Sequence, residues 1–300
     1  MNSETRSETY GIGEWYGELF TKLTADQRKS FAKIQELPRS DQPDIPCPFQ
    51  SHEEETVQCT KAGGVCSLRK YEQTEQGARP VSGLEGGLCA TCPHRFEEGG
   101  LIYEWIGAEL LRSSQPIVLG EIGFLEDREG KKVGRIDRIL VHPEVEQLAW
   151  CALEKQAVYF SGDSMTNEFK MLQRSVADEL PYPAGRRRPD FRSSGPKRLM
   201  PQLQIKVPTL RRWGRKMAVV VDQPFFAAMG SMETVEHVSN GDIIWFVVGY
   251  EEANERMTLT KSSLAITTLE TSVVGLTGGQ PVSQAEFESQ IRAKLPTTGE

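Results

Sequence analysis

No apolar run in this 300-residue chain approaches the roughly 20 residues that span a bilayer, so no membrane helix is expected. No repeat of fixed period recurs and no low-complexity tract extends beyond short loops, which excludes a solenoid. The opening MNSETRSETYGIGEWYG lacks the basic end and apolar stretch of a secretory signal, and a cytoplasmic location is the expectation. In a reducing compartment six cysteines are poor candidates for disulfides and better ones for metal ligands. An overall basic balance is also missing: the net charge of −7 excludes a surface built throughout for nucleic acid, although it hides how the charges are segregated. What is present, 38% hydrophobic and 26% charged residues, suffices for one large domain or a domain with a small module.

Trp15, Leu19, Phe20 and Leu23 recur at helical spacing, and Thr24 with Gln27 forms a capping-box pattern that opens a second helix, ended by Pro38. From Arg39 to about His94, Pro, Gly, Glu and Gln lie among cysteines with little apolar periodicity, so this stretch is expected to lack a normal core. Ile102, Trp105, Ile106 and Leu110 predict a core helix over 101–111. IVLGEIGF, VGRIDRILV and LAWCALEKQAVYF read as strands, with a helix from Glu168 to Leu180 after them. A basic loop and a further helix lead to KMAVVVD and DIIWFVVGYE, apolar runs of the kind that form buried central strands. SQAEFESQIRAKL, capped at Ser283 with Glu286 three residues on, predicts a surface helix. The class is α/β.

Five of the six cysteines, Cys47, Cys59, Cys66, Cys89 and Cys92, fall in the core-poor stretch, and Cys151 lies far away. Thiolates followed by turn residues such as Gly63, Gly64 and Pro93 suit a tetrahedral metal site, because the turns let backbone amides approach the sulfurs. Five cysteines compete for four places, His94 is a further candidate, and iron and zinc are both open.

Asp137 in GRIDRIL and Glu154 in CALEKQAVYF lie near the ends of successive strands. Strand alternation points Glu154 and Gln156 to one side and Lys155 to the other. Two such carboxylates can bind a divalent cation that activates a water toward a phosphodiester, with the third side chain positioning that water.

Between Gly185 and Lys216 come Arg186, Arg187, Arg188, Arg192, Lys197, Arg198, Lys206, Arg211, Arg212, Arg215 and Lys216, with Asp190 the one acid. Displacement of condensed counterions by such side chains supplies sequence-independent affinity for a phosphate backbone, and arginine forks can read guanine edges. The first six of these are the candidate DNA-binding residues.

The order CPF, C-x-K with GVC, CPHR and then LE-x-Q with an aromatic close behind resembles the NotI-type restriction endonucleases of the PD-(D/E)xK nuclease superfamily. The likeness runs from GEWYGELF through these stretches to SSGPKRLMPQLQIKV and DIIWFVVGYE. It implies a restriction-endonuclease-like mixed sheet flanked by helices, with an N-terminal helical segment at 1–46, a small irregular four-cysteine module at 47–94 and a nuclease domain at 95–300. It implies that Asp137 and Glu154 hold Mg²⁺, that Gln156 takes the place a lysine usually occupies, and that Cys47, Cys59, Cys66 and Cys92 hold structural iron, with zinc an equal fit to the chemistry. Cys89 has no counterpart, and a swap with Cys92 stays open. The implied activity is type II, site-specific hydrolysis of double-stranded DNA by a homodimer. The competing expectation is a DNA-binding regulatory or modification-system protein that keeps the fold without cutting; a structure-specific or RNA-directed nuclease is a third.

Overall fold

In the computed structural model, residues 7–51, 55–83, 86–144, 146, 148–175, 179–279 and 282–295 are described. The first predicted helix is instead a hairpin: β1 (Glu8–Trp15) turns back into β2 (Glu18–Leu19) through Tyr16 and Gly17. Their φ values of 50° and 82° make the two-residue turn whose central residues are both left-handed, the geometry that matches strand twist. Trp15, Leu19, Phe20 and Leu23 are all buried, brought inward by strand, turn and a short 3₁₀ turn rather than by one helical stripe. α1 (Ala25–Ile34) follows with the reciprocal Thr24–Gln27 box in place.

The cysteine-rich stretch is only half irregular. Its second half supplies β3 (Val65–Thr74), β4 (Gly77–Pro80) and β5 (Cys89–Ala90), which join the hairpin in a five-stranded sheet ordered β2-β1-β3-β4, with β5 also paired to β3. Val65, Leu68 and Tyr71 pack with Ile12, Trp15 and Phe169; the polar residues between them masked this core in the sequence.

The chain then runs through α2 (Leu101–Ile106), extended to Leu111 by a wider turn, β6 (Ile117–Leu119), β7 (Ile122–Glu126), β8 (Lys132–Ile136), β9 (Arg138–Val141) and β10 (Trp150–Lys155). Next come β11 (Phe160–Gly162), α3 (Met165–Arg174), β12 (Arg187–Pro189), α4 (Phe191–Ser194) and α5 (Met200–Arg212). It ends with β13 (Met217–Asp222), α6 (Gln223–Ala227), β14 (Ile243–Ala253), β15 (Arg256–Thr267), α7 (Leu269–Thr277) and α8 (Gln284–Lys294). The predicted helix at 168–180 starts earlier and ends at Arg174, and its residues 176–178 lie outside the described ones. LAWCALEKQAVYF is two strands, β10 and β11, rather than one.

Six strands form the central mixed sheet in the order β15-β14-β13-β10-β9-β6. β10, β13 and β14 are parallel, and the outer pairings are antiparallel. Alternation divides its side chains: Leu153, Val220 and Phe246 pack against Ile102, Trp105 and Ile106 around α2, whereas Ala152, Val219 and Trp245 pack against Leu203, Val207 and Leu210 of α5. The protein is thus mixed α/β, with helices on both faces of the central sheet. The surface helix α8 is capped by Ser283 and buries no residue. Among the described residues no helix is long and apolar enough to cross a membrane.

Buried charge joins the two sheets. The Arg95 side chain has no solvent exposure; its Nε donates to both carboxylate oxygens of Glu14 in β1, its Nη1 to Glu98 at 2.9 Å and its Nη2 to the Met257 carbonyl in β15 at 2.7 Å. The guanidinium lies between the rings of Phe49 and Tyr250, 4.5 and 4.8 Å from their centroids. Asp222, at the end of β13, accepts from the Ala90 amide of β5 with one oxygen and from the Phe225 amide, as the cap of α6, with the other.

Removing one member of a buried pair leaves the other uncompensated, so Arg95→Met is expected to destabilise by about 3–5 kcal/mol in denaturant titration. A loss below about 1 kcal/mol would mean that Arg95 does not clamp the sheets. Burial pushes the Asp222 carboxyl up from 3.8 to about 7. Its stabilising contribution is then complete at low pH, where both states are protonated, and is lost as pH rises through about 7. Asp222→Asn lacks this loss, so its stability relative to wild type should climb between about pH 4 and 7, by up to a few kcal/mol, and level off above. Parallel pH profiles for the two proteins would contradict the assignment.

Candidate active site and cysteine cluster

Asp137 lies between β8 and β9, and Glu154 is the penultimate residue of β10. The antiparallel register pairs Leu153 with Arg138, which sets Glu154 beside Asp137. The two carboxyl groups meet around one ammonium, that of Lys206. Asp137 is half exposed and Glu154 is buried, so the pair sits at the edge of the core with one oxygen-rich side toward solvent. Burial pushes the Glu154 carboxyl up, the Lys206 ammonium pulls it back and the Asp137 charge adds to the rise.

Alternation along β10 holds as read from the sequence. Glu154 is on the α5 side, and Lys155 points to the opposite face, where its Nζ pairs with the buried Glu97. Burial alone would raise Glu97, yet His94 and Lys155 hold its carboxyl down at about 2. Gln156 lies one residue past the strand; its amide nitrogen donates to the Ala157 carbonyl at 2.6 Å rather than turning to the acids.

Lys206, which by sequence belongs to the basic segment, is instead buried at this site. Its Nζ lies 2.6 Å from Glu154 Oε2 and 3.7 Å from Asp137 Oδ1, and its side chain is 3% exposed. A signal was present: Leu203, Lys206, Val207 and Leu210 make the inward stripe of α5, and a lysine within such a stripe requires a buried partner. Among the described residues no three His, Cys, Asp or Glu side chains close into a metal-binding group. Mg²⁺ needs fewer, since it is held by one or two carboxylates and completed by water and phosphate, so the Asp137–Glu154 pair suits its chemistry.

All six cysteines are free thiols. Cys47, Cys59, Cys66 and Cys92 lie close enough to influence one another electrostatically, whereas Cys89 faces Asp222 and Cys151 sits in the core under α2. Burial pushes the thiols of Cys59, Cys66 and Cys92 up. The nearby backbone amides of Lys61, Gly17 and His94 pull the thiols of Cys59, Cys66 and Cys92, respectively, partly back down, and the Cys66 thiol donates to the Gly64 carbonyl at 3.6 Å. The His94 ring itself faces Glu97 at 3.4 Å. Short chain pairings hold the loops: Cys47 and Cys59 bond to Val57 and Ile45, and the Cys92 amide donates to the Cys66 carbonyl. Four thiols are a donor set of the kind that suits a soft tetrahedral cation, although among the described residues the sulfurs do not close on a common point as they stand.

The basic segment splits by burial. Arg186, Arg188, Arg192, Lys197 and Arg198 are exposed. Arg187, expected to contact DNA, is instead buried; its guanidinium pairs with Glu168 at 2.8 Å and donates to the carbonyls of Asp163 and Ser164, because β12 turns it inward beneath α3. Arg211 is held by Asp242 and Glu270, and Lys216 donates to the Gly241 carbonyl. Asp190, the lone acid of the segment, caps α4. The Arg198 guanidinium stacks 3.6 Å from the ring centroid of Tyr159, a residue five positions beyond Glu154 in the chain.

Comparison with curated proteins gave no match. A family model described as "Restriction endonuclease NotI" matches residues 32–261, a span that takes in the cysteine cluster, the Asp137–Glu154 pair, Lys206 and most of the central sheet. That is well over half of the chain, and the protein belongs to the NotI restriction endonuclease family.

Proposed function

We propose that this restriction endonuclease is a type II, site-specific enzyme of the PD-(D/E)xK superfamily that hydrolyses double-stranded DNA with Mg²⁺ in the cytoplasm. The observation that carries this is the meeting of Asp137 and Glu154 at the end of β10, one half exposed and one buried. Asp137 and Glu154 would hold Mg²⁺, which supplies Lewis acidity toward the phosphate and a more acidic bound water. The buried Glu154 orients the pair, Asp137 presents the open side, and Gln156 assists at the water once its amide leaves the Ala157 carbonyl. Arg186, Arg188, Arg192, Lys197 and Arg198 bind the backbone by counterion release and set the duplex over the acids. Products carry 5′-phosphate and 3′-hydroxyl ends. Two copies related by a dyad would each cut one strand of a symmetric site.

Cys47, Cys59, Cys66 and Cys92 would hold one structural iron, or zinc, that draws the loops at 47–51 and 59–64 onto the N-terminal sheet. Cys89 is set aside, since it faces Asp222.

Incubation of the purified chain with a large unmethylated DNA of known sequence and Mg²⁺ should give discrete fragments from wild type and none from Glu154→Ala. Binding by both proteins without cleavage by either would instead support a DNA-binding protein that keeps the fold. Metal analysis should find about one iron or zinc per chain, lost in Cys66→Ser and retained in Cys89→Ser. Equal metal content in the two variants would refute the ligand set.

A further inference from the structure

The inward stripe of α5 has four members, and three of them, Leu203, Val207 and Leu210, are core residues on the α5 face of the sheet. The fourth, Lys206, sits where packing alone would favour another leucine. A buried ammonium costs several kcal/mol unless paired. The partners of Lys206 are the two acids, Glu154 at 2.6 Å and Asp137 at 3.7 Å. Its charge, rather than its bulk, is therefore what the position holds.

β10 offers no amine on this face. Gln156 stands two residues past Glu154 with its amide turned to Ala157, and Lys155 is committed to Glu97 on the other side. We infer that Lys206 supplies, from α5, the ammonium that the strand lacks. It is a positioning residue: it fixes the Glu154 carboxylate in the face it shares with Asp137, and it adds positive charge beside the cation where negative charge accumulates during attack on the phosphate. The inference rests on the endonuclease reading above.

Two opposed effects follow from one charge. Lys206 repels a divalent cation while assisting the reaction the cation supports. Lys206→Met, which keeps length and apolar contact, should lower kcat about 100-fold with KM for DNA unchanged. The same variant should bind Ca²⁺, measured by calorimetry without DNA, roughly tenfold more tightly than wild type. Adding Gln156→Lys to Lys206→Met returns an amine to the same face from the strand and should recover about tenfold of the lost kcat. Circular dichroism and thermal melts establish that each variant is folded.

Cleavage by Lys206→Met within about threefold of wild type would overturn the inference. So would a joint fall of cleavage and Ca²⁺ affinity without rescue by Gln156→Lys, the signature of a packing residue. If wild type cuts no DNA while Lys206→Met binds Ca²⁺ more tightly, the endonuclease reading fails but the link between Lys206 and the acids stands. If wild type cuts and Ca²⁺ affinity is unchanged in the variant, the placement of Lys206 at the cation is refuted.

Discussion

A guanidinium with no access to water must satisfy its N–H donors and its charge inside the protein, and Arg95 does so by drawing on separate stretches of chain. Glu14 comes from the first strand, Glu98 from the turn after the cysteines, and the Met257 carbonyl from the last strand of the central sheet. Phe49, two residues past Cys47, and Tyr250 of β14 close over its faces. Short segments of GEW, CPF and CPHR, which look unrelated along the chain, are thus parts of one contact. The relation of the N-terminal sheet to the central sheet follows from it, with Asp222 and the Ala90 amide as a second tie.

The same logic separates what the sequence revealed from what it hid. KMAVVVD and DIIWFVVGYE were legible because unbroken apolar runs admit little besides buried central strands. Glu154 and Lys155 were legible on opposite faces because a strand alternates strictly. The hairpin of β1 and β2 was not, since Trp15, Leu19, Phe20 and Leu23 satisfy helical spacing by accident, and only the Tyr16–Gly17 turn distinguishes the two. β3 was hidden for another reason. Its inward residues are interleaved with charges that pair with the neighbouring strands, Lys70 with Glu8 of β1 and Glu72 with Arg79 of β4, and the cysteines at either side suggest irregularity.

In the site, the acids were legible from their strand context, but their counter-ion was not. Lys206 lies 52 residues beyond Glu154, and nothing local announces where its side chain ends. Charge counting placed it with Arg186 and Arg188, although the two sets belong to different environments: exposed cations near Tyr159 facing solvent, and one ammonium buried against carboxylates. Arg187 shows the same failure in reverse, since neighbours in sequence alternate in burial along β12. A density of basic residues therefore reports a surface only after the inward members are removed from it.

The reach of the Arg95 contact bears on how the chain is made. A ribosome releases Arg95 long before Met257, 162 residues later, and the last two strands of the central sheet emerge after the acids and Lys206. Until then the Arg95 guanidinium lacks the acceptor that β15 supplies, and the sheet that carries β10 lacks its outer strand. An unfinished chain thus carries Asp137, Glu154 and Lys206 ahead of the strands that complete their sheet. Order around the acids therefore depends on segments made long after them, a dependence written into the strand order of the sheet.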